Sequence, residues 1–389
     1  MKRIYFIPIT LICLLFAACD DGGSYMSEDG SMSLYDSGSS GSSETGNGNE
    51  LEPGVITAGE WNDLDHWMFL DSVLTDSAYA KIPEYWGYYH NHRVSVKVTN
   101  ASDAPVINQE VVLKRNGTAI WTAKTDNAGM AELWVDLFQK SESIDTTQLQ
   151  LSVGSVILNQ VKTISAGANT LIFNGASTLS NKVELAFMVD ATGSMSDELE
   201  FLKTELLDVI NRAKSDNPTL NMLTGSVFYR DKGDDYVTRI SNFNTNITTT
   251  LNFIKDQKAS GGGDFPEAVH TALDKSINEL QWSTDSRTRI LFMVLDAPPH
   301  YDPDIVSNLH SLITQAAVKG IKIIPVTASG IDKETEFLMR FMALTTNGTY
   351  VFITNDSGVG NEHLQPTIGY YQVEYLNDLM VRLINKYVK

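Results

Sequence analysis

The run VELAFMVDATGSMS, from Val183 to Ser196, decides the fold of this chain. Its first half is a mostly apolar segment, typical of a buried parallel strand, and it ends on Asp190. Thr192 and Ser194 follow at alternate positions, so three oxygen-bearing side chains can converge on one point above the strand end. Mg²⁺ and similar hard cations prefer such all-oxygen ligands. The run therefore predicts a cation site at the end of a strand.

Apolar strands and amphipathic helices alternate over residues 181–389, which predicts an α/β fold with a doubly wound sheet. The segment from Tyr236 to Ile240 is expected to be an antiparallel edge strand, and the apolar run from Ile290 to Leu295 a central one. Ligands of such sheets bind beyond the carboxyl ends of the parallel strands. Asp296 and the glycine-rich loop that ends on Asp264 are both expected there, beside Asp190.

The pattern D-A-T-G-S-M from Asp190, joined by Asp264 and Asp296, resembles the metal-ion-dependent adhesion site of the von Willebrand factor type A family. The resemblance implies a Rossmann-like domain that holds a divalent cation, Mg²⁺ first and Mn²⁺ or Ca²⁺ as alternatives. It implies that Thr192 and Ser194 bind the cation through their hydroxyls, and that Asp190 and Asp296 hold it directly or through waters. Asp264 stands where most members have threonine, and its charge should tighten cation binding and weaken capture of a ligand carboxylate.

Asp190 and Asp296 also lie shortly before predicted helices, so helix capping is the alternative interpretation of both. The loops at the same end of the sheet carry further polar side chains that are expected to form the rim that selects the ligand. These rim residues are Arg230, Asp231, His300 and His363.

Residues 1–18 combine a basic start, an apolar run too short to span a bilayer, and two alanines before Cys19. This predicts a signal peptide of the bacterial lipoprotein type, with Cys19 lipidated, and an ordinary secretory signal is the alternative. Residues 19–50 are rich in Gly, Ser and acidic residues and predict a disordered tether. The expected location is the bacterial cell envelope, at the outer membrane or cell surface. The chain's other cysteine, Cys13, lies in the signal, so no disulfide is expected.

Residues 51–180 are expected to form the first folded domain and residues 181–389 the second. Many aromatic residues occupy 51–91, and we expect their rings to pack on the next sheet, with a carbohydrate-binding platform as the alternative. Alternating apolar residues from Arg93 onward predict a small antiparallel β-sandwich. The run WTAKTDNAGMAELW, from Trp121 to Trp134, resembles Ig-like or prealbumin-like modules of bacterial surface proteins, which implies a spacer.

The formal net charge of −19 repels phosphate backbones and excludes nucleic acid as an expected partner. The leading hypothesis is a non-enzymatic binding module that recruits a carboxylate or other oxygen donor from a protein or extracellular polymer. One alternative is an envelope scaffold with a purely structural metal. The other is a metal-dependent hydrolase with His300 or His363 as base, although the chain has no G-x-S-x-G, H-E-x-x-H or P-loop motif.

Overall fold

The computed structural model describes residues 51–175 and 180–389. The predicted signal peptide, Cys19 and the tether lie outside this part of the chain. Within it, no helix combines the length and the apolar character needed to cross a membrane. The described residues pack as one compact unit.

The N-terminal part of the described chain contains two short helices and two small sheets. Its elements are β1 (Thr57–Trp61), α1 (Trp67–Thr75), α2 (Ile82–Trp86), β2 (Arg93–Thr99), β3 (Glu110–Arg115), β4 (Thr118–Lys124), β5 (Met130–Trp134), β6 (Leu149–Val153), β7 (Val156–Leu158) and β8 (Asn169–Ile172). The sheet with strand order β4-β3-β6-β7 is wholly antiparallel, as predicted. In the sheet β5-β2-β8, however, β8 runs parallel to β2, because the chain crosses from the other sheet before it enters β8.

The second part alternates strands and helices, as the sequence predicts. Its elements are β9 (Lys182–Asp190), α3 (Leu199–Asp216), β10 (Asn221–Tyr229), β11 (Thr238–Asn244), α4 (Ile247–Lys255), α5 (Val269–Asp274), β12 (Thr288–Leu295), α6 (Pro303–Lys319), β13 (Ile321–Thr327), α7 (Lys333–Thr345), β14 (Tyr350–Ile353), β15 (Glu374–Tyr375) and α8 (Leu376–Val388). The large sheet has the order β11-β10-β9-β12-β13-β14-β1-β15. Its five central strands, from β10 to β14, are parallel, and β11 is the predicted antiparallel edge. The α/β fold class is therefore confirmed.

Strand β1 belongs to the large sheet although it precedes the small ones in the chain. It pairs antiparallel with β14, where Ala58 lies opposite Ile353, and with β15. Ile56 and Ala58 are completely buried there. The sequence-based boundary at residue 181 assigns β1 to the first domain, whereas its pairing places it in the sheet of the second. A pairing between segments this far apart in sequence leaves no local signal.

The side chains of β9 alternate between two hydrophobic cores, one on each face of the large sheet. Leu185 and Phe187 pack with α3 and α8 on one face. Ala186 and Met188 pack on the other face with α5, α6, α7 and the small sheets. A strand buried on both faces is fixed in position, so Asp190 at its carboxyl end is fixed as well.

Of the aromatic rings in residues 51–91, those of Trp61, Trp86 and Tyr88 are buried, as the packing interpretation predicts, whereas Tyr85 is 39% exposed. Trp86 and Tyr88 are each 1% exposed. The Nε1 of Trp86 donates to the backbone oxygen of Glu334, at 2.7 Å, and the Tyr88 ring stacks on Phe341. These two rings therefore pack on α7 rather than on the small sheets alone, and they offer no free face to a sugar.

Candidate metal centre

Asp190 ends β9 and is wholly buried. Its Oδ1 accepts two hydrogen bonds from Thr192, one from the backbone N–H at 2.9 Å and one from Oγ1 at 2.7 Å. The Oγ1 of Thr192 lies 3.2 Å from the Oγ of Ser194. The chain thus turns tightly after the strand and sets two hydroxyls side by side above its end.

Helix capping does not account for the two aspartates. The N-cap of α6 is Asp302, whose carboxylate accepts hydrogen bonds from the first free N–H groups of that helix. The N-cap position of α3 is Glu198, without a side-chain capping bond. The capping interpretation of Asp190 and Asp296 is therefore wrong.

Asp296 follows β12 and is only 5% exposed. Among the described residues, Oδ1 of Asp296 and Oδ2 of Asp190 are buried oxygens without a hydrogen-bond partner. Burial raises the pKa of Asp190 to about 6. Burial, and then the charge of Asp190, raises the pKa of Asp296 to about 7. Two carboxylates thus share a buried position that lacks a compensating positive charge.

Backbone hydrogen bonds tie the three loops together. The N–H of Gly193 donates to the oxygen of Gly261, and the N–H of Ser260 donates to the oxygen of Ala191, each at 3.0 Å. The glycine-rich loop is thereby held against the turn after β9. Farther along the same loop, the N–H of Glu267 donates to the oxygen of Pro298, at 2.9 Å, in the loop after β12.

Glu267 is a member of this centre that the sequence analysis did not single out. It is 2% exposed, and its Oε2 has no hydrogen-bond partner in the described chain. Burial, and next the charge of Asp190, raises the pKa of Glu267 to about 9. Its position in the run GGGDFPE, directly before the apolar pair Ala268 and Val269, is the sequence signal that places it on the buried side of the loop.

Gly262 makes room for Glu267. The residue has φ +71°, and a Cβ there would lie 2.7 Å from Oε1 of Glu267 and 3.2 Å from Cβ of Thr192. A side chain at this position would be strained and would collide with the glutamate. The glycine therefore lets Glu267 approach the Thr192 hydroxyl.

A cleft of about 350 Å³ opens above these groups. Its walls come from all three loops and from Gly330, and its lining includes Ser194, Asp264, Phe265, Glu267 and Asp296. Asp264 is exposed at the lip of this cleft, whereas Glu267 is buried at its base. Three of the five predicted ligands, Ser194, Asp264 and Asp296, therefore line one opening, with Asp264 outermost. Asp190 and Thr192 are wholly buried and join them through the contact between the Thr192 and Ser194 hydroxyls.

The donor set suits a hard divalent cation. Three buried carboxylate oxygens, on Asp190, Glu267 and Asp296, have no partner in the described residues, and Glu267 and Asp296 line the same cleft as Ser194. A cation would satisfy these oxygens and cancel their mutual repulsion. Within residues 51–175 and 180–389, no group of three His, Cys, Asp or Glu side chains has metal-binding geometry.

Comparison with known proteins agrees with the geometry. A family model described as the von Willebrand factor A domain matches residues 184–359. This segment is a von Willebrand factor A domain. Such domains are generally non-catalytic modules that mediate protein interactions.

Two curated relatives match part of the chain. The chain is 34% identical over 126 residues to a putative ariadne-like RING finger protein, R811, of Acanthamoeba polyphaga mimivirus. It is 32% identical over 120 residues to the alpha-protein kinase vwkA of Dictyostelium discoideum. These matches cover 32% and 30% of the chain, but only 12% and 19% of the relatives' own lengths.

Comparison with solved structures matches the chain to an aerotolerance-related membrane protein of Bacteroides fragilis. The match covers 52% of this chain and 99% of that one, at 13% identity and a TM-score of 0.35.

The structure corrects part of the predicted rim of the A domain. Arg230 is 6% exposed, and its guanidinium donates to the backbone oxygens of Ala191 and Lys258, at 3.1 and 2.7 Å. It also lies over the ring of Tyr236. Arg230 therefore links two loops through the backbone oxygens of Ala191 and Lys258 and does not face a ligand.

His363 is also buried, at 7% exposed, and is not a rim residue. Its Nδ1 lies 2.9 Å from Oδ1 of Asn355, and its Nε2 lies 3.0 Å from Oε1 of the buried Glu198. Asp231 is 7% exposed and lies 2.7 Å from Nε2 of His300, which is partly exposed. Of the four predicted rim residues, His300 alone presents substantial surface.

Proposed function

We propose that the A domain is a divalent-cation-dependent binding module of a bacterial cell-envelope lipoprotein. Asp190, Thr192, Ser194, Asp296 and the buried Glu267 hold the cation, with Asp264 at the lip of the cleft. Mg²⁺ is the expected ion, since hydroxyls, carboxylates and waters make up its usual shell, and Mn²⁺ or Ca²⁺ are alternatives. The partner is a protein or extracellular polymer that places an oxygen donor in the cleft.

The observation that carries this proposal is the set of unpartnered buried carboxylate oxygens on Asp190, Glu267 and Asp296. An unpaired carboxylate in a protein interior costs several kcal/mol, and polar groups of this kind are normally satisfied. We therefore interpret these three carboxylates and the hydroxyls of Thr192 and Ser194 as cation ligands rather than as a packing defect. The cleft above gives a ligand access to the ion.

We propose a non-catalytic role, which the limited exposure of the histidines near the cleft supports. His363 is buried, and the ring of His300 is already bound to Asp231 at 2.7 Å. A hydrolase would need one of these two histidines free to act on a water or a substrate. The proposed activity is therefore binding, without a chemical step.

The direct test is a thermal melt of the chain from Leu51 onward, first in chelator and then with Mg²⁺, Mn²⁺ or Ca²⁺. A ligand of the native state raises Tm by mass action, so we expect a cation-dependent rise. Asp190→Asn removes one ligand charge and should abolish the rise. Asp235→Asn is the matched control, because Asp235 is an exposed carboxylate in the β10–β11 hairpin.

Equal melting temperatures with chelator and with each cation would refute the metal site. A cation-dependent rise that persists in Asp190→Asn would mean that the ion binds elsewhere on this acidic chain. Once the ion is identified, pull-down with and without chelator tests the partner, since a cation-dependent partner must be lost when the ion is removed.

A purely structural metal is the second candidate function. The observation that favours it is Glu267, which adds a carboxylate to a site already rich in donors and so leaves fewer positions for a partner. A Tm rise with cation, together with identical partner binding in cation and in chelator, would select this scaffold role.

Anchoring at the envelope rests on residues 1–50. Cys19 is proposed to carry the lipid, with residues 19–50 as the tether and the outer membrane or cell surface as the site. Metabolic labelling with an alkyne fatty acid tests this step. Labelled protein in wild type and none in Cys19→Ala would support it, whereas secretion of unlabelled protein would favour an ordinary signal peptide.

A further inference from the structure

A second polar cavity lies at the amino ends of β12 and β13, at the opposite end of the large sheet from the metal centre. Its volume is about 30 Å³, room for one particle of the size of a water molecule. The small sheets contribute Asn108 and Lys124 to its walls, and the A domain contributes Arg287, Arg289 and Lys322. The cavity therefore sits where the two parts of the chain meet.

Its cationic groups contact mainly neutral oxygens. Lys124 Nζ donates to the backbone oxygen of Thr284, at 3.3 Å, and Arg287 donates to backbone oxygens at the end of α8. Arg289 donates from Nε to the oxygen of Ser283, at 2.8 Å, and from Nη1 to Oδ1 of Asn108, at 3.0 Å. Among the described residues, the hydrogen-bond acceptors of Lys124 and Arg289 are thus neutral and leave these two positive charges uncompensated.

The nearby carboxylates are already engaged. Asp126 accepts from the N–H groups of its own turn and from Asn347 and Lys322. Glu132 accepts hydrogen bonds from Nε and Nη2 of Arg93 and from the hydroxyl of Ser95. The lining thus holds more positive charge than its acids neutralise, although the chain as a whole is strongly acidic.

Arg289 supplies the second observation. Its side chain is 3% exposed, and its Nη2 is a buried donor with no partner among the described residues. The nearest carboxylate oxygen, on Glu184, lies 3.9 Å from Nε, beyond hydrogen-bond distance. Burial, and then the charge of Arg289, lowers the pKa of Lys124, in agreement with an excess of positive charge.

We propose that this cavity binds a chloride ion, held by Nη2 of Arg289 and Nζ of Lys124. A monatomic anion fits this volume. Chloride accepts from several donors at once and brings the missing negative charge. A water molecule, the competing occupant, would need acceptors for its own hydrogens and would leave the charge uncompensated. The ion would join the small sheets to the A domain.

The test is a melt of the chain from Leu51 onward in chelator, in sodium chloride and in sodium gluconate at equal ionic strength. We expect chloride to raise Tm by about 2–4 °C between millimolar and half-molar concentrations, because it binds the native state. Bromide should act in the same way, and an anomalous bromide peak in the cavity of a soaked crystal would locate it.

Lys124→Met should remove the chloride effect with little change of fold, because the lysine makes only one long contact with protein. Arg289→Met should also remove the chloride effect, and it should lower the Tm in gluconate more than Lys124→Met does. Lys97→Met is the matched control, since Lys97 is exposed on β2. Equal Tm in chloride and gluconate, or a chloride effect that survives in Lys124→Met, would overturn the proposal and assign the cavity to water.

Discussion

Glu267 is the residue whose stability contribution should depend most on the cation. In chelator, Glu267→Gln replaces a buried carboxyl group, which must take up a proton on folding because its pKa is raised to about 9, by a neutral amide of the same shape. We expect Tm to rise by a few degrees, because relief of one such group is worth about 1–3 kcal/mol. In the presence of Mg²⁺ the same variant should bind the ion about tenfold more weakly, since it has lost a ligand charge.

Differential scanning calorimetry in chelator and isothermal titration with Mg²⁺ measure the two effects. Glu362→Gln is the control, because Glu362 is an exposed carboxylate in the loop between β14 and β15. A variant less stable than wild type in chelator would show that Glu267 makes a favourable contact in the cation-free protein.

The charge of Asp264 should decide which oxygen donors the centre accepts. The residue is exposed at the lip of the cleft and adds a negative charge to those of Asp190, Glu267 and Asp296. A ligand carboxylate is repelled by this excess. Asp264→Thr should therefore strengthen Mg²⁺-dependent binding of poly-glutamate about tenfold while weakening binding of Mg²⁺ itself. Biolayer interferometry measures the first effect, and unchanged poly-glutamate binding in the variant would contradict it.

The raised pKa of Glu267 gives the cation-free protein a defined pH dependence. Its carboxyl titrates near 4.5 when unperturbed and at about 9 in the folded chain. Between these values the unfolded state has lost the proton that the folded state keeps, so the free energy of unfolding falls as pH rises. Urea titrations in chelator from pH 5 to 9 should show a steeper fall for wild type than for Glu267→Gln. Equal slopes would contradict the assigned pKa.

At the residue scale, the sequence predicts those site members whose chemistry is local. Asp190, Thr192 and Ser194 are predicted from one strand and its turn, and Asp296 from the end of β12. Glu267 was not found, because its role comes from its burial against another loop. Arg230 and His363 were misassigned for the same reason, since their partners lie on segments distant in sequence.

Strand β1 should tolerate no enlargement at Gly59. A Cβ there would lie 2.5 Å from the Phe352 ring and 2.8 Å from the Tyr371 ring. Gly59→Ala is therefore expected to destabilise the protein by about 1–3 kcal/mol through overpacking. Gly263→Ala, where a Cβ meets nothing within 4 Å, is the matched control and should leave stability unchanged. Urea unfolding measures the free energy of unfolding of both variants, provided that their m-values are equal. Equal stability of the two variants would mean that β1 shifts to accommodate the added methyl group.

At the element scale, periodicity predicts the order of strands and helices in the A domain and places β11 at an edge. It does not predict that β1 completes the opposite side of the sheet. The pairing of β1 with β14 depends on close packing of side chains. Gly59 leaves room for the rings of Phe352 and Tyr371, and the apolar Ile56 and Ala58 are buried in the core. Such complementarity exists only in the folded chain.

For the whole molecule, the shared sheet predicts that the two parts of the chain fold together. Arg340 on α7 binds Asp63 through two hydrogen bonds, at 2.9 and 2.6 Å, and both side chains are buried. Removal of one partner from such a pair is strongly destabilising. A fragment of residues 181–389 would lose β1, leave Arg340 without Asp63 and expose the open edge of β14.

We therefore expect the fragment 181–389 to aggregate or to melt at least 10 °C below the chain from Leu51 onward, which should unfold in one cooperative transition. Size-exclusion chromatography and calorimetry make the comparison. Adding back residues 51–66, joined to residue 181 by a flexible linker, should restore a monomer, because it returns both β1 and Asp63. A stable, cation-binding monomer of residues 181–389 alone would show that β1 is an accessory to an independently folding A domain.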